Sequence, residues 1–204
     1  MPFIEHAGKR LLYVHVPRTG GASVERWMAG IAPLRFRHIG QPPALRCTPQ
    51  HLRLSDIRQL FGDGYFDHVV MTVRDPFRRI ESEYRLRAAI AGQGFWKEWP
   101  DFSFWLEQSL ERARNEPFHL DNHLRPQWQF GGTGVEVLRF EEGMPAILGR
   151  IAAILGVAPP AEVPHENAAP FADGLKVDWD EVDRIRVAET YSRDFTQFGY
   201  DPAP

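Results

Sequence analysis

One cysteine, Cys47, stands among 204 residues. A lone thiol excludes an intrachain disulfide framework and any zinc site built on cysteines. Long hydrophobic runs are missing as well. The apolar stretch at 11–16 is only about half a dozen residues long and follows the acid Glu5, too short for a signal segment or a bilayer span. No membrane span is expected, and the cytoplasm is the expected compartment. An excess of one charge is also lacking: 24 Lys and Arg stand against 27 Asp and Glu, a formal net charge of −3. That balance gives no reason to expect nucleic acid or an acidic membrane as partner, so any anion site must be local and built from a few placed cations. Repeats, low-complexity tracts and an evident linker are absent too. What is present is core material: 43% hydrophobic and 25% charged residues, the mix of an ordinary globular chain. The length suits one α/β domain over residues 1–204.

The pattern alternates strands and helices. Residues 11–16 read as a strand that runs into Pro17-Arg18-Thr19-Gly20-Gly21, and Val24, Trp27, Met28 and Ile31 then recur at helical spacing. Residues 33–50 read as a loop. Ser55 is placed to cap a short helix carrying Ile57, Leu60 and Phe61, stopped at Gly62. A second strand is expected over 66–73, its Val69-Val70-Met71 run implying burial on both faces. Asp75 as N-cap and Pro76 at the first helical position open the next helix, with Phe77, Ile80, Tyr84 and Ala88 on one face. Another begins at Asp101 with Phe102, Trp105, Leu106 and Leu110 as its stripe. A third strand is expected over 135–140. A helix through Ile147, Leu148, Ile151, Ile154 and Leu155 ends at Gly156, and a last one carries Val182, Ile185, Tyr191, Phe195 and Phe198. The fold class expected is α/β, a central parallel sheet with helices on both faces.

The stretch Val16-Pro17-Arg18-Thr19-Gly20-Gly21-Ala22-Ser23 carries the chemistry. A glycine pair lets the backbone turn tightly, and the N–H groups and dipole of the following helix then face an anion. Arg18 adds a fixed cation, and the Thr19 and Ser23 hydroxyls add donors. The GxxxxGK[ST] signature of nucleoside-triphosphate loops is absent, with no lysine after the glycines and no clear metal-holding acid after a later strand. The loop reads as a phosphate cradle that needs no magnesium ion. Glycine turns between strand and helix are common, so the loop alone is not decisive.

Together with a second segment, Val73-Arg74-Asp75-Pro76-Phe77-Arg78-Arg79-Ile80-Glu81-Ser82-Glu83-Tyr84, the loop resembles a known family. Carbohydrate sulfotransferases of the kind that includes heparan 2-O- and chondroitin 4-sulfotransferases and their bacterial relatives carry a PKTGGTS-like loop and a VRDPxxRxxSxY-like segment in this order. The resemblance continues in Phe140-Glu141 and in the closing Asp194-Phe195-Thr196-Gln197-Phe198-Gly199-Tyr200, so it spans nearly the whole chain. It implies a P-loop-like three-layer sandwich and transfer of a sulfuryl group from 3′-phosphoadenosine 5′-phosphosulfate to an acceptor hydroxyl, of a glycan by family precedent. It also implies that Arg18, Thr19, Gly20, Gly21, Ala22 and Ser23 hold the 5′-phosphosulfate, and that Arg74 and Ser82 hold the 3′-phosphate. The family's loop lysine is Arg18 here, a planar fork in place of a point charge, and its first loop threonine is Ala22.

Relatives place a histidine about two dozen residues before the VRDP arginine, and His51 takes that place. A histidine suits a general base because its pKa lies near working pH. An RPQ stretch in relatives lines the acceptor cleft, which points to Arg125 and Gln127 here. Asn167 falls where relatives have an Asn-containing loop over the nucleotide. Trp96 and Trp99 are candidates for stacking on a sugar, or for plain loop packing. His119 and His123, four apart, would share a helix face, but HExxH is missing and Pro117 is close, so no metal is expected. Two other readings stay open: a P-loop phosphotransferase using a nucleoside triphosphate, and a non-catalytic nucleotide- or glycan-binding relative.

Overall fold

The computed structural model describes residues 1–37, 40–92, 99–163 and 175–203. Along the chain come β1 (Phe3–His6), β2 (Lys9–Val14), α1 (Gly21–Ala29), α2 (Leu54–Phe61), β3 (His68–Val73), α3 (Pro76–Gly92), α4 (Phe102–Asn115), β4 (Glu136–Arg139), α5 (Met144–Leu155), α6 (Glu181–Thr190) and α7 (Ser192–Phe198). The protein is α/β. Among the described residues no helix is long and apolar enough to cross a membrane. The chain divides into two compact units, Met1–Arg74 with Gln127–Glu166, and Asp75–Pro126 with Asn167–Pro204.

The first unit holds an open four-stranded sheet in the order β1-β2-β3-β4. The last three strands run parallel, as expected. β1 does not: it pairs antiparallel with β2, His6 opposite Lys9, so the sheet is mixed and not wholly parallel. The turn between them is Ala7-Gly8, both at positive φ (49° and 76°), the backbone twist that a two-residue hairpin favours. Alternation along the strands sorts the core. Ile4, Leu11, Tyr13, Val70 and Leu138 point to one face, where Val24 and Met28 of α1 and the Ile147, Leu148, Ile151 and Leu155 stripe of α5 bury them. Phe3 points the other way and meets Phe61 of α2 edge-on at 5.5 Å. α5 stops at Gly156, left-handed at φ 72°, as its sequence requires. Gly62 (φ 82°) ends α2, also as expected, but Ser55 does not cap it. The helix starts two residues earlier than a Ser55 cap would place it, with Arg53 as N-cap and Leu54 first, and the Asp56 carboxylate accepts the Arg53 backbone N–H at 2.9 Å; Ser55 is exposed. The carboxylate at the third helical position reaches back to the N-cap backbone, which sets the start at Arg53 and leaves Ser55 inside the first turn.

The second unit is helical. α3 starts on Asp75, whose Oδ1 accepts from Arg78 N at 2.9 Å, with Pro76 first in the helix. α4 starts on Asp101, which caps Phe104 N at 2.9 Å. Tyr84 of α3 packs against Phe102 and Trp105 of α4 at 5.3 and 5.2 Å. The single closing helix expected through 182–198 is two, α6 and α7, broken at Tyr191 (φ −111°, ψ 22°). The buried Tyr191 hydroxyl donates to the Leu124 carbonyl at 2.8 Å, a bond that fixes the break. Val182 and Ile185 keep helical spacing but are about half exposed, and Asp183 and Val187 are the buried residues of α6.

Residues 117–124 form turns and not the helix that would align His119 with His123. Leu120, Asp121 and Asn122 have φ of 52°, 59° and 66°, and three successive left-handed residues cannot continue a right-handed helix. His123 turns to α3, where its Nδ1 lies 2.7 Å from Glu83 Oε2. Glu83 is buried and also accepts from Arg87 Nε at 2.6 Å. Burial alone would raise the Glu83 carboxyl, but the charge and hydrogen bond of His123 and then of Arg87 bring it down to about 2.

Candidate phosphate-binding site

β2 ends at Val14, and the glycine loop connects it to α1. Arg18 adopts φ 68°, a left-handed conformation that costs a non-glycine residue about 1–2 kcal/mol and clusters at functional sites. Gly20 follows at φ 86° and serves as N-cap of α1, with no side chain capping the first turn. The Ser23 amide donates to the Gly20 carbonyl at 3.1 Å, and the amides ahead of it, at Gly21 and Ala22, are the ones placed to meet an anion. Both glycines have steric reasons to be glycine. A Cβ on Gly20 would lie 2.5 Å from Met144 Cε and 2.8 Å from the Phe140 ring, and one on Gly21 would lie 2.5 Å from His15 Cδ2 and Nε2.

A chain of hydroxyls holds the loop from below. Thr19 Oγ1 donates to the Val16 carbonyl at 2.8 Å and lies 2.7 Å from Thr72 Oγ1, which lies 2.5 Å from the Tyr13 hydroxyl. Because Thr19 spends its one proton on a carbonyl, Thr72 must donate to Thr19, and Tyr13 to Thr72. Burial pushes the Tyr13 phenol far above its usual range, so it stays the neutral donor the chain requires. The Thr19 side chain is thus turned inward, and what it offers a ligand is its backbone N–H. Ser23 lies buried in the first turn of α1.

Arg74 follows β3. Its Nη1 donates to the Arg18 carbonyl at 3.3 Å, and its guanidinium lies 4.6 Å above the Phe140 ring. Gln127 fixes the backbone there: Oε1 accepts from Arg74 N at 2.9 Å and Nε2 donates to Arg74 O at 2.8 Å. The structure therefore brings Arg18, the glycines, Arg74, Gln127 and Phe140 together in the first unit. No family model, no curated protein and no solved structure matches this chain.

His51 lies in the same unit, at the end of the 3-10 turn Pro49–His51, buried, its Nδ1 3.3 Å from Thr48 Oγ1. Between it and the loop stands His15, which sequence reasoning passed over. The two rings meet edge to face, centroids 5.1 Å apart. His15 Nδ1 is hydrogen-bonded to Glu25 of α1, and Gln50 Nε2 reaches both Glu25 oxygens at 2.8 Å. Arg37 Nε is 3.4 Å from Glu25 Oε2. Glu25 is wholly buried. Burial would raise its carboxyl, yet the His15 charge and hydrogen bond, then the Gln50 amide, hold it below the usual carboxylate range. The available signal was position: His15 directly precedes the loop, and Glu25 flanks the Val24–Met28 apolar stripe.

The remaining candidates lie in the second unit. Ser82 is on α3, half-buried. Arg125 is buried and builds the 117–125 turn, Nε to Asn122 Oδ1 at 2.8 Å, Nη2 to the Pro117 carbonyl at 2.9 Å, and its guanidinium over Phe118 at 5.0 Å. Trp99 borders a cleft of about 330 Å³ with Trp105, Gln108, Arg112 and His119. Trp96 and Asn167 lie outside the described residues.

Proposed function

We propose that the protein is a sulfotransferase with a P-loop-like three-layer fold, using 3′-phosphoadenosine 5′-phosphosulfate as donor and a hydroxyl, of a carbohydrate, as acceptor. One observation carries the reading. A left-handed arginine precedes a sterically enforced glycine pair at an uncapped helix start, and a second arginine, Arg74, is hydrogen-bonded to the backbone of the first. Two cations and a set of amides at one turn suit an anionic group without a metal. Arg18 and the amides of Gly20, Gly21 and Ala22 would hold the 5′ group and take the charge that grows on the departing phosphate. Arg74 would hold the 3′-phosphate. His51 would accept the acceptor's hydroxyl proton as the new oxygen–sulfur bond forms and the sulfur–phosphate-oxygen bond breaks in line. Gln127 would act through the Arg74 backbone that it holds.

Calorimetry with 3′-phosphoadenosine 5′-phosphate in the presence of a chelator tests this. Micromolar binding that does not depend on magnesium supports it. Binding of ATP only with magnesium replaces it with a phosphotransferase. Binding of the nucleotide without turnover of the sulfated donor on any hydroxyl acceptor leaves a non-catalytic relative.

A further inference from the structure

Glu25 is a carboxylate with no exposed surface, on the helix that follows the phosphate loop, and its described partners His15, Gln50 and Arg37 are on three other segments. On one side is His15, whose ring fills the space a Cβ of Gly21 would need. On the other is Gln50, which uses its amide on both carboxylate oxygens and sits next to His51 within the turn Pro49–His51. A buried ionised group is tolerated only when its hydrogen-bonding capacity is filled, and here filling it joins the loop to the turn. His15 reinforces that joint directly, standing edge-on to His51.

We propose that Glu25 is a positioning residue that sets the placement of His51 relative to the phosphate loop, through Gln50 on the turn side and His15 on the loop side. Its catalytic consequence rests on the sulfotransferase reading; its mechanical consequence does not. Neither Glu25 nor Gln50 touches the reacting atoms in this scheme. They act by holding the base within the narrow range of positions from which it reaches the acceptor, where a displacement near 1 Å costs on the order of a hundredfold.

Three variants test it: Gln50→Ala, Glu25→Gln and the two combined. Gln50→Ala is expected to lower kcat about tenfold while the Kd of 3′-phosphoadenosine 5′-phosphate stays within about twofold, because the loop side is intact. Glu25→Gln is expected to lower kcat about 10- to 100-fold, and the double variant should fall no further, since Gln50 acts only through the carboxylate. Additive losses, or a Gln50→Ala effect on Kd as large as that on kcat, overturn the proposal. If Glu25→Gln does not fold, His15→Ala, which removes the Nδ1 partner of the carboxylate, takes its place in the same cycle with Gln50→Ala, and additivity there overturns it equally. Hydrogen exchange of the nucleotide-free protein supplies the readout independent of activity. Glu25→Gln should speed exchange at the His51 amide and at the Ser23 and Val24 amides together, leaving α5 unchanged. Loss of protection at only one of the two segments counts against the proposal even if the wild-type protein binds no nucleotide, which by itself would defeat the sulfotransferase reading alone.

Discussion

Alanine at position 21 should change from harmful to harmless when His15 is removed. Gly21 opens α1 and has no positive φ, so its backbone would accept alanine. Alanine is the better helix former by up to about 1 kcal/mol. On propensity alone Gly21→Ala would stabilise. The His15 ring reverses that sign. The new Cβ would stand 2.5 Å from Cδ2 and Nε2 and 2.7 Å from Cε1, against about 3.5–4.0 Å for a comfortable carbon contact. The ring cannot yield freely, because Nδ1 is tied to buried Glu25. Overpacking of this kind costs about 1–3 kcal/mol, and at this chain length each kcal/mol lowers Tm by roughly 2–4 °C. Thermal unfolding followed by circular dichroism should therefore show Gly21→Ala several degrees below wild type. In a His15→Ala background the same change should be neutral or slightly stabilising, giving a coupling of about 1–3 kcal/mol. An equal penalty for Gly21→Ala with and without the His15 ring would refute the argument and place the need for glycine elsewhere.

Three further outcomes are expected. Arg74→Ala should weaken 3′-phosphoadenosine 5′-phosphate by roughly 10- to 100-fold, the worth of one charge-assisted bond, and adenosine 5′-phosphate far less; equal losses by calorimetry would remove Arg74 from the 3′-phosphate. His51→Ala should reduce turnover by about two to four decades with donor affinity nearly unchanged, and an unimpaired variant would move the base elsewhere. The Glu83 carboxyl is depressed in the fold to about 2 from an ordinary 4.5, so its stabilisation is complete above pH 4.5 and is lost as pH falls through about 2. Glu83→Gln should lower stability near neutrality by roughly 3 kcal/mol and flatten that part of the acid-denaturation profile, and an acid limb as steep as wild type would count against it.

Local signals were legible in the sequence wherever a few adjacent residues settle the backbone. Asp75-Pro76, Asp101, Gly62 and Gly156 mark helix ends that the structure reproduces. β1 was missed because four residues carry little periodicity and its partner, β2, decides it. Val182 and Ile185 misled because helical spacing says that a helix exists, while its neighbours choose the buried side. The 117–124 segment departs from a helix through three left-handed residues, of which Asp121 and Asn122 are types that tolerate that conformation while Leu120 gives no such signal. At the site, the glycine loop was readable as a motif, and Arg74 at the end of a strand followed from Asp75-Pro76. The His15–Glu25–Gln50 assembly was not. It joins a strand end, a helix and a turn, and a glutamate on a short amphipathic helix reads as solvated until its partners are found.

The sheet's two margins carry a consequence for how the protein behaves at high concentration. Open strand edges recruit strands from other molecules, and long, flat, apolar edges do so most readily. Here the margin at β1 is already partly occupied, because Phe3 exchanges backbone hydrogen bonds with Arg35 at 3.0 and 2.9 Å. The margin at β4 is only Glu136-Val137-Leu138-Arg139, and Glu136 is engaged by Arg150 at 2.5 and 3.0 Å. A segment of four residues with a charge at each end is a poor template for a fibril or a strand-swapped dimer. Replacing Glu136 and Arg139 by valine would lengthen the apolar edge around Val137, already 39% exposed. The colloidal tolerance of the chain thus depends on two charged residues far from the phosphate loop in sequence.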